Sequence, residues 1–422
     1  MIRLNKSLKL GVATASLQIE GGVLDTNWND WYNKGMIKDG TNPSRANNHY
    51  ELYKEDIDLM ASMGIECYRM SIEWARLEPA LNVFDDEAYE HYIDEINYLK
   101  SKGIEVLLTL HHFSNPMWFE RLGGFTAKDS SDIFNDFVAY TIKKLGHLVS
   151  EYVTVNEPNV YVTSAYFFGE FPPGIKSFEK SRVVFTNLAL SHIKAYNTIH
   201  RIRRDLGYND TKVGYSSHVR VFKPKRAWYI VDIIGAKLME KMFQGSIDKA
   251  CMTGVFDYPL LKSGTKMKGK YYDFIGLNYY TRSMVKVFEE GANQKSGVVH
   301  NDLGWEIYPE GLKILAEKYY KKYKAPIYIT ENGTCDKYDK IRSKYIVDHL
   351  AMIAKTNAPI EKYYHWTFID NFEWTDGESA CFGLVELDYD TQKRTIRESG
   401  KLYSQIIKNK VITDEMLELK YK

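Results

Sequence analysis

Two glutamates are placed where chemistry could use them. Glu331 ends the run Ile327-Tyr328-Ile329-Thr330-Glu331 and is followed by Asn332-Gly333, while Glu157 ends Tyr152-Val153-Thr154-Val155-Asn156-Glu157 and is followed by Pro158. Short runs rich in β-branched and aromatic residues favour strands. Asn-Gly turns the chain and proline cannot continue a central ladder, so both carboxyls are predicted at the C-terminal ends of separate strands. Paired carboxyls of this kind suit cleavage of a glycosidic bond. The leaving oxygen needs a proton from a neutral acid, and the oxocarbenium-like transition state needs a negative charge beneath it.

Neighbouring residues suggest how the two carboxyls would differ. Arg69, in Tyr68-Arg69-Met70-Ser71, would favour an ionised Glu331, and the hydroxyl of Tyr280 could donate to the same carboxylate. Glu157 has no cation adjacent in sequence; beside it Asn156 could bind a sugar hydroxyl. Plainer readings stand next to these. Arg69 could simply pair with Glu73, His111 and His112 could be core residues or metal ligands, and Trp366 and Trp374 could be packing. Against a metal centre, the first predicted strand holds no His-x-His pair.

Stepping outward to the elements, eight short apolar runs recur: Leu8 to Ala13, Glu66 to Ile72, Glu105 to His111, Tyr152 to Asn156, Lys212 to Ser216, Asp273 to Tyr279, Ile327 to Thr330 and Tyr363 to Ile369. Between them lie stretches with helical spacing, including Tyr53, Ile57 and Met60, then Ala88, Tyr92, Ile96 and Leu99, then Phe134, Phe137, Tyr140 and Ile142. Eight alternating units predict an α/β fold, a single (β/α)8 barrel over residues 1–422. An open doubly wound sheet binding a dinucleotide would need a glycine fingerprint at its first turn. Ala13 to Gly22 contains none. In a barrel the polar residues just past the strands converge, which adds Gln18, His112, Asn278 and the segment Trp366 to Trp374 to the candidates.

Composition narrows the function class. A chain of 422 residues fits a barrel with long loops, and a formal charge of +1 offers no basic face for nucleic acid or an anionic membrane. Cys67, Cys251, Cys335 and Cys381 lie far apart, so reduced, structural cysteines are expected. The N-terminal residues have no continuous apolar segment, and a cytoplasmic location is the expectation. Gly264 to Lys270 and Glu289 to His300 read as exposed loops, and Val411 to Lys422 as a last short helix.

The ordered set Gln18-Ile19-Glu20-Gly21-Gly22, Tyr68 to Trp74, Thr109-Leu110-His111-His112-Phe113, Thr154-Val155-Asn156-Glu157-Pro158, Gly276 to Thr281, Gly304 to Pro309, Ile329 to Gly333 and Asp370 to Trp374 resembles the family 1 glycoside hydrolases of β-glucosidase and β-galactosidase type. The resemblance runs through essentially the whole chain. It implies retaining hydrolysis of β-glycosides without cofactor or metal, with Glu331 as nucleophile and Glu157 as acid and base. Retention would set the two carboxyls about 5 to 5.5 Å apart. By the same resemblance Gln18, His112, Asn156, Glu373 and Trp374 bind the sugar, Trp366 lies beneath its ring and Trp305 walls the aglycone side. Arg69, Asn278 and Tyr280 support the nucleophile.

The sequence departs from the family pattern at Phe113, where a tryptophan is usual after the histidine, and at Gly21-Gly22. The chain is also shorter than most members, which would leave the aglycone side more open. Glu373, absent from relatives that act on 6-phosphorylated sugars, is present and implies an unphosphorylated glycone. The expected partner is a small β-glycoside or oligosaccharide, and self-association is compatible with this reading. A non-catalytic sugar-binding barrel, a metal-dependent barrel hydrolase and transglycosylation are the competing functions.

Overall fold

The computed structural model describes residues 1–262, 267–291 and 293–421. Its centre is eight strands: β1 Lys9–Ala13, β2 Cys67–Ser71, β3 Glu105–Thr109, β4 Glu151–Asn156, β5 Lys212–Pro224, β6 Ile275–Lys286, β7 Ile327–Asn332 and β8 Ile360–Trp366. They pair in parallel in the order β5-β4-β3-β2-β1-β8-β7-β6, and pairing of β5 with β6 closes the ring. Every predicted run is therefore a strand of one closed (β/α)8 barrel.

Nine helices carry most of the crossovers: α1 His49–Ser62, α2 Asp86–Ser101, α3 Ser130–Leu145, α4 Phe178–Asp205, α5 Ile230–Glu240, α6 Ser246–Thr253, α7 Glu310–Tyr323, α8 Arg342–Ala354 and α9 Glu398–Asn409. The apolar spacing read from the sequence does face the barrel: Ile57 and Met60 of α1, Tyr92, Ile96 and Leu99 of α2, and Phe134, Phe137 and Ile142 of α3 are all fully buried. Tyr140 is the exception. It leans outward and stacks on Phe84 at 3.7 Å. Local chemistry starts the helices, as at Asp85 and Ser177, whose side chains accept from the backbone N–H of Ala88 and Lys180.

The boundaries differ from expectation where strands leave the barrel. β5 and β6 continue past the predicted ends at Ser216 and Tyr279 because they stay paired with each other beyond the rim, from Val221 opposite Arg282 to Pro224 opposite Val285. Glu289–Gly291, expected in a loop, folds back antiparallel on β6 and satisfies that extension's outer edge. The C-terminal tail is only partly helical. Val411–Ile412 first pairs with Ile2–Arg3, and a single turn, Asp414–Leu417, follows. Of the basic loop predicted at Gly264 to Lys270, residues 264–266 lie outside the described residues. Among the described residues no helix is long and apolar enough to cross a membrane.

The two ends of the barrel are chemically distinct. At the N-terminal end Lys362 of β8 donates to Glu105 of β3 at 2.8 Å and Glu151 of β4 at 2.6 Å, an ion cluster that knits strand starts. The C-terminal end holds the predicted site residues. There Gly333 follows β7 for a reason other than a turn: a Cβ at this position would lie 1.7 Å from the carbonyl oxygen of Trp366. The absent side chain lets β7 and β8 close up behind Glu331. Gly333→Ala is expected to cost roughly 1–3 kcal/mol, as overpacking of a filled interior does; denaturant unfolding would measure it, and wild-type stability would show that the close approach is dispensable.

Candidate active site

Arg69 is the hub of the site. It points from β2 into the barrel with no exposure, and its guanidinium reaches three other strands. Nη1 donates to Glu331 Oε1 and to the Thr330 carbonyl at 3.2 Å, Nη2 donates to Asn156 Oδ1 at 2.6 Å, and Nε donates to Thr109 Oγ1 at 3.2 Å. Tyr280 from β6 donates to the second Glu331 oxygen at 2.6 Å. Both oxygens of Glu331 are thus held by donors, one of them a permanent cation. The plainer pairing of Arg69 with Glu73 does not occur, because Glu73 accepts instead from Ser114 at 2.8 Å and Ser16 at 3.1 Å.

Glu157 follows β4 with φ at 41°, a left-handed conformation that a residue with a side chain adopts at a cost of order 1–3 kcal/mol. Pro158 then starts a short helix, Pro158–Val162. The Glu157 N–H donates to the Ser216 carbonyl at 2.7 Å, anchoring the bend on β5. Its Oε1 accepts from Asn278 Nδ2 at 2.9 Å and meets His218 Nδ1 at 3.0 Å. Sequence reasoning missed His218 and its neighbour Arg220. Their signal was faint: they lie two and four residues beyond the predicted end of the fifth run, in the portion of β5 that the run did not include.

The two carboxyls sit in unequal fields. Burial raises the Glu157 carboxyl, but His218, the Asn278 amide and Arg69 outweigh it and hold the group below the usual range. Burial pushes Glu331 up to about 7, with the facing charge of Glu157 adding to it and Arg69 and the Tyr280 hydroxyl opposing it. The two are coupled, so ionising one disfavours ionising the other. Arg220 Nε donates to His218 Nε2 at 3.1 Å, so this nitrogen accepts and Nδ1 is left to donate to Glu157.

The two glutamates open into a cavity of about 220 Å³ whose walls include His112, Trp305, Trp366, Glu373, Trp374 and Tyr280. Gln18, Asn156, Arg69 and Asn278 are fully buried one layer behind it. Asn156 links the buried groups: Oδ1 accepts from Arg69 and Asn278, while Nδ2 donates to His112 Nε2 at 2.9 Å. That bond puts the His112 proton on Nδ1, and this buried Nδ1 has no partner among the described residues. It is a donor ready for a hydroxyl. Gln18 donates to Glu373 Oε2 at 3.2 Å and to the Phe372 carbonyl at 2.8 Å, and its buried Oε1 is likewise unpaired among the described residues.

Burial, together with the negative charges of Glu331 and Asp376, pushes Glu373 up to about 8, so at neutral pH it can both donate and accept. Arg220 is the cavity wall's cationic side chain among the described residues, and its bonds to His218 and Glu290 engage it. Trp374 and Phe113 also have positive φ, and their rings meet edge to face at 5.1 Å. Trp305 closes the outer end against Tyr280 at 5.7 Å. His111 faces the core and is bonded to Asn115 at 2.8 Å. The four cysteines are free and buried.

This arrangement can deliver a proton on one side of a bound sugar and a carboxylate on the other. His218→Leu removes the largest of the groups that hold Glu157 low, so the Glu157 carboxyl should rise and the basic limb of the kcat/KM pH profile should move to higher pH. A limb left in place would show that His218 does not tune Glu157.

The chain is similar to known proteins along nearly its whole length. The family model described as glycosyl hydrolase family 1 matches residues 2–412. β-Glucosidase A of Thermotoga maritima is 30% identical, covering 96% of this chain and 97% of that protein, and a β-galactosidase of Saccharolobus solfataricus is 29% identical, covering 98% and 96%. The solved β-glycosidase from Pyrococcus horikoshii superposes with a TM-score of 0.89 at 33% identity, covering 99% of this chain and 97% of that one.

Proposed function

The chain belongs to the family 1 glycosyl hydrolases, which retain anomeric configuration by means of two glutamates, and from that premise we propose that Glu331 is the nucleophile and Glu157 the acid and base. The observation that carries the assignment is the asymmetry of donors: Glu331 is held by a guanidinium and a phenol, Glu157 by an amide and an imidazole.

In the first step the Glu331 carboxylate attacks the anomeric carbon while Glu157 gives its proton to the glycosidic oxygen, and the carbon–oxygen bond breaks. In the second, Glu157, now ionised, takes a proton from water as the water oxygen attacks the same carbon and frees Glu331. Tyr280 keeps its proton, since burial and the Glu331 charge raise its phenol well above the usual range, and it stays a donor throughout. His112, Glu373 and Gln18 bind ring hydroxyls, Trp366 and Trp374 meet the sugar's apolar faces, and Trp305 contacts the aglycone. Phe113 supplies only a hydrocarbon edge where an indole would also donate.

The substrate is an unphosphorylated β-D-glucoside, with galactosides and fucosides as alternatives that differ around Glu373 and Gln18. Hydrolysis proceeds from the non-reducing end, on the whole chain acting as one barrel domain in the cytoplasm. The glycone end of the cavity supports a neutral sugar because it presents Glu373 and Asp376 and no lysine or arginine among the described residues.

Nitrophenyl β-glucoside, β-galactoside, β-fucoside and 6-phospho-β-glucoside, assayed with and without chelator, test this reading. Chelator-insensitive turnover of a neutral sugar is expected; turnover of the phosphorylated sugar alone would contradict it. Glu157→Ala should lower turnover of an alkyl glucoside by about 10²–10⁴, the usual worth of general acid catalysis. The loss should be smaller on nitrophenyl glucoside, whose leaving group needs little protonation. Equal losses on both would remove Glu157 from the acid role.

A further inference from the structure

We propose that Arg220 and Glu290 are positioning residues for the acid: acting through His218, they put the proton of Glu157 on Oε2, the oxygen left free to reach the leaving group. This rests on the catalytic reading above and deepens it.

The two oxygens of Glu157 are not equivalent. Oε1 accepts from Asn278 Nδ2 at 2.9 Å and from His218 Nδ1 at 3.0 Å, so both of its lone pairs are engaged. Oε2 has no hydrogen-bond partner among the described residues, and Glu157 lines the catalytic cavity. A carboxyl held in this way carries its proton on Oε2. The bias depends on the imidazole tautomer. With the ring proton on Nε2, a bare Nδ1 would accept from Glu157 instead and draw the carboxyl proton to Oε1, away from the substrate.

Arg220 decides between the tautomers. Its Nε donates to His218 Nε2 at 3.1 Å, where a ring proton would set two N–H groups against each other. The guanidinium is itself fixed on two sides. Nη1 donates to Glu290, which also accepts from Ser283 Oγ at 2.6 Å, and the group lies over the Phe243 ring, 5.1 Å from its centre. Glu290 belongs to Glu289–Gly291, the strand that folds back on β6. A strand outside the barrel thus supplies the far end of a relay that finishes on the acid.

The backbone is built to hold this aim. β4 pairs with β5 no further than Ser216, which leaves that edge of β5 open at His218 and Arg220. Two buried amide side chains close it. Asn159, two residues past Glu157, accepts from the His218 N–H at 3.3 Å and donates to the His218 carbonyl at 2.7 Å. Gln244, in the π-helical segment Lys241–Gly245, accepts from the Arg220 N–H at 2.9 Å and donates to the Arg220 carbonyl at 3.3 Å. Residues two apart in a strand share a face, so clasping these two backbones aims both side chains together. The register with β6 also slips between Val219 and Val221, and bulges of this kind re-aim side chains beside active sites.

In the first chemical step Oε2 gives its proton to the glycosidic oxygen, which keeps the electron pair of the breaking bond. The Nδ1 proton stays on His218 and steadies the carboxylate that forms. His218 is neither donor nor acceptor of the transferred proton.

Two measurements test the relay. In protein isotope-labelled at the histidine rings, whose chemical shifts report the tautomer, the His218 signal is assigned by its loss in His218→Leu. It should show Nδ1–H in wild type and move toward Nε2–H in Arg220→Met. In turnover, Arg220→Met should lower kcat/KM for an alkyl glucoside at least about tenfold more than for dinitrophenyl glucoside, whose leaving group needs no proton; general acid catalysis is worth about 10²–10⁴ in all. Glu290→Ala should act in the same direction with a smaller loss. An Nε2–H tautomer in wild type, or equal losses on the two substrates in Arg220→Met, overturns the relay. If Arg220→Met does not fold, Glu290→Ala, a change on an exposed strand, decides by the same two readouts. A substrate-selective loss in Glu157→Ala with none in Arg220→Met overturns the relay alone, whereas equal losses on both substrates in Glu157→Ala overturn the acid assignment beneath it.

Discussion

The structure depends on a charge that cannot reach water. The guanidinium of Arg69 is fully buried inside the barrel, and an unpaired charge in that position would cost far more than the fold could supply. Its partners must therefore be built into the surrounding strands: Thr109 on β3, Asn156 on β4, Thr330 and Glu331 on β7. The same bonds that satisfy the arginine position the carboxylate of Glu331 and oppose the burial that raises it. Stability and reactivity are set by one group here. The strands bring residues 262 positions apart in sequence into contact, and strand order alone accounts for it, since β2 and β7 lie across the closed barrel from each other.

On the other side of the site a second buried carboxyl, Glu157, is reached by a chain of directional donors: Arg220 to His218, and His218 to Glu157. The arginine fixes which imidazole nitrogen faces Glu157 without bringing its own charge into contact with that carboxyl. His218 also stacks on Tyr280 at 5.6 Å, so the residues that hold the two glutamates support one another. The strained backbone at Glu157 is kept by the Ser216 carbonyl and by Pro158, whose fixed φ suits the start of the helix that follows.

Much of this was legible in the sequence for a physical reason. Parallel strands buried on both faces read as short continuous apolar runs, and all eight could be found; what ends them must be polar and must lie at the rim, so Glu157, Glu331, His112 and Asn278 were candidates before any contact was known. The rest depended on geometry that residue type does not encode. Arg69 near Glu73 in sequence suggested a pair, but the pleat sends Arg69 inward to β7. Asn156 looked like a sugar ligand; that it also ties Arg69, Asn278 and His112 together could not be read from its type. Gly333 looked like a turn and is a point of close approach. His218 and Arg220 were passed over because their strand outruns its apolar run, continuing past the rim as a two-stranded extension.

In the proposed reaction Glu331, paired with Arg69, forms the bond to the sugar. This is tested most directly by incubating the protein with a 2-deoxy-2-fluoro-β-glucoside carrying a dinitrophenolate leaving group, which slows release of a glycosyl-enzyme more than its formation, and mapping the adduct by mass spectrometry of proteolytic peptides. One added fluoroglucosyl group per chain is expected, on the peptide containing Glu331 and on that residue. An adduct on any other side chain, or steady hydrolysis of this reagent with no adduct, would contradict it.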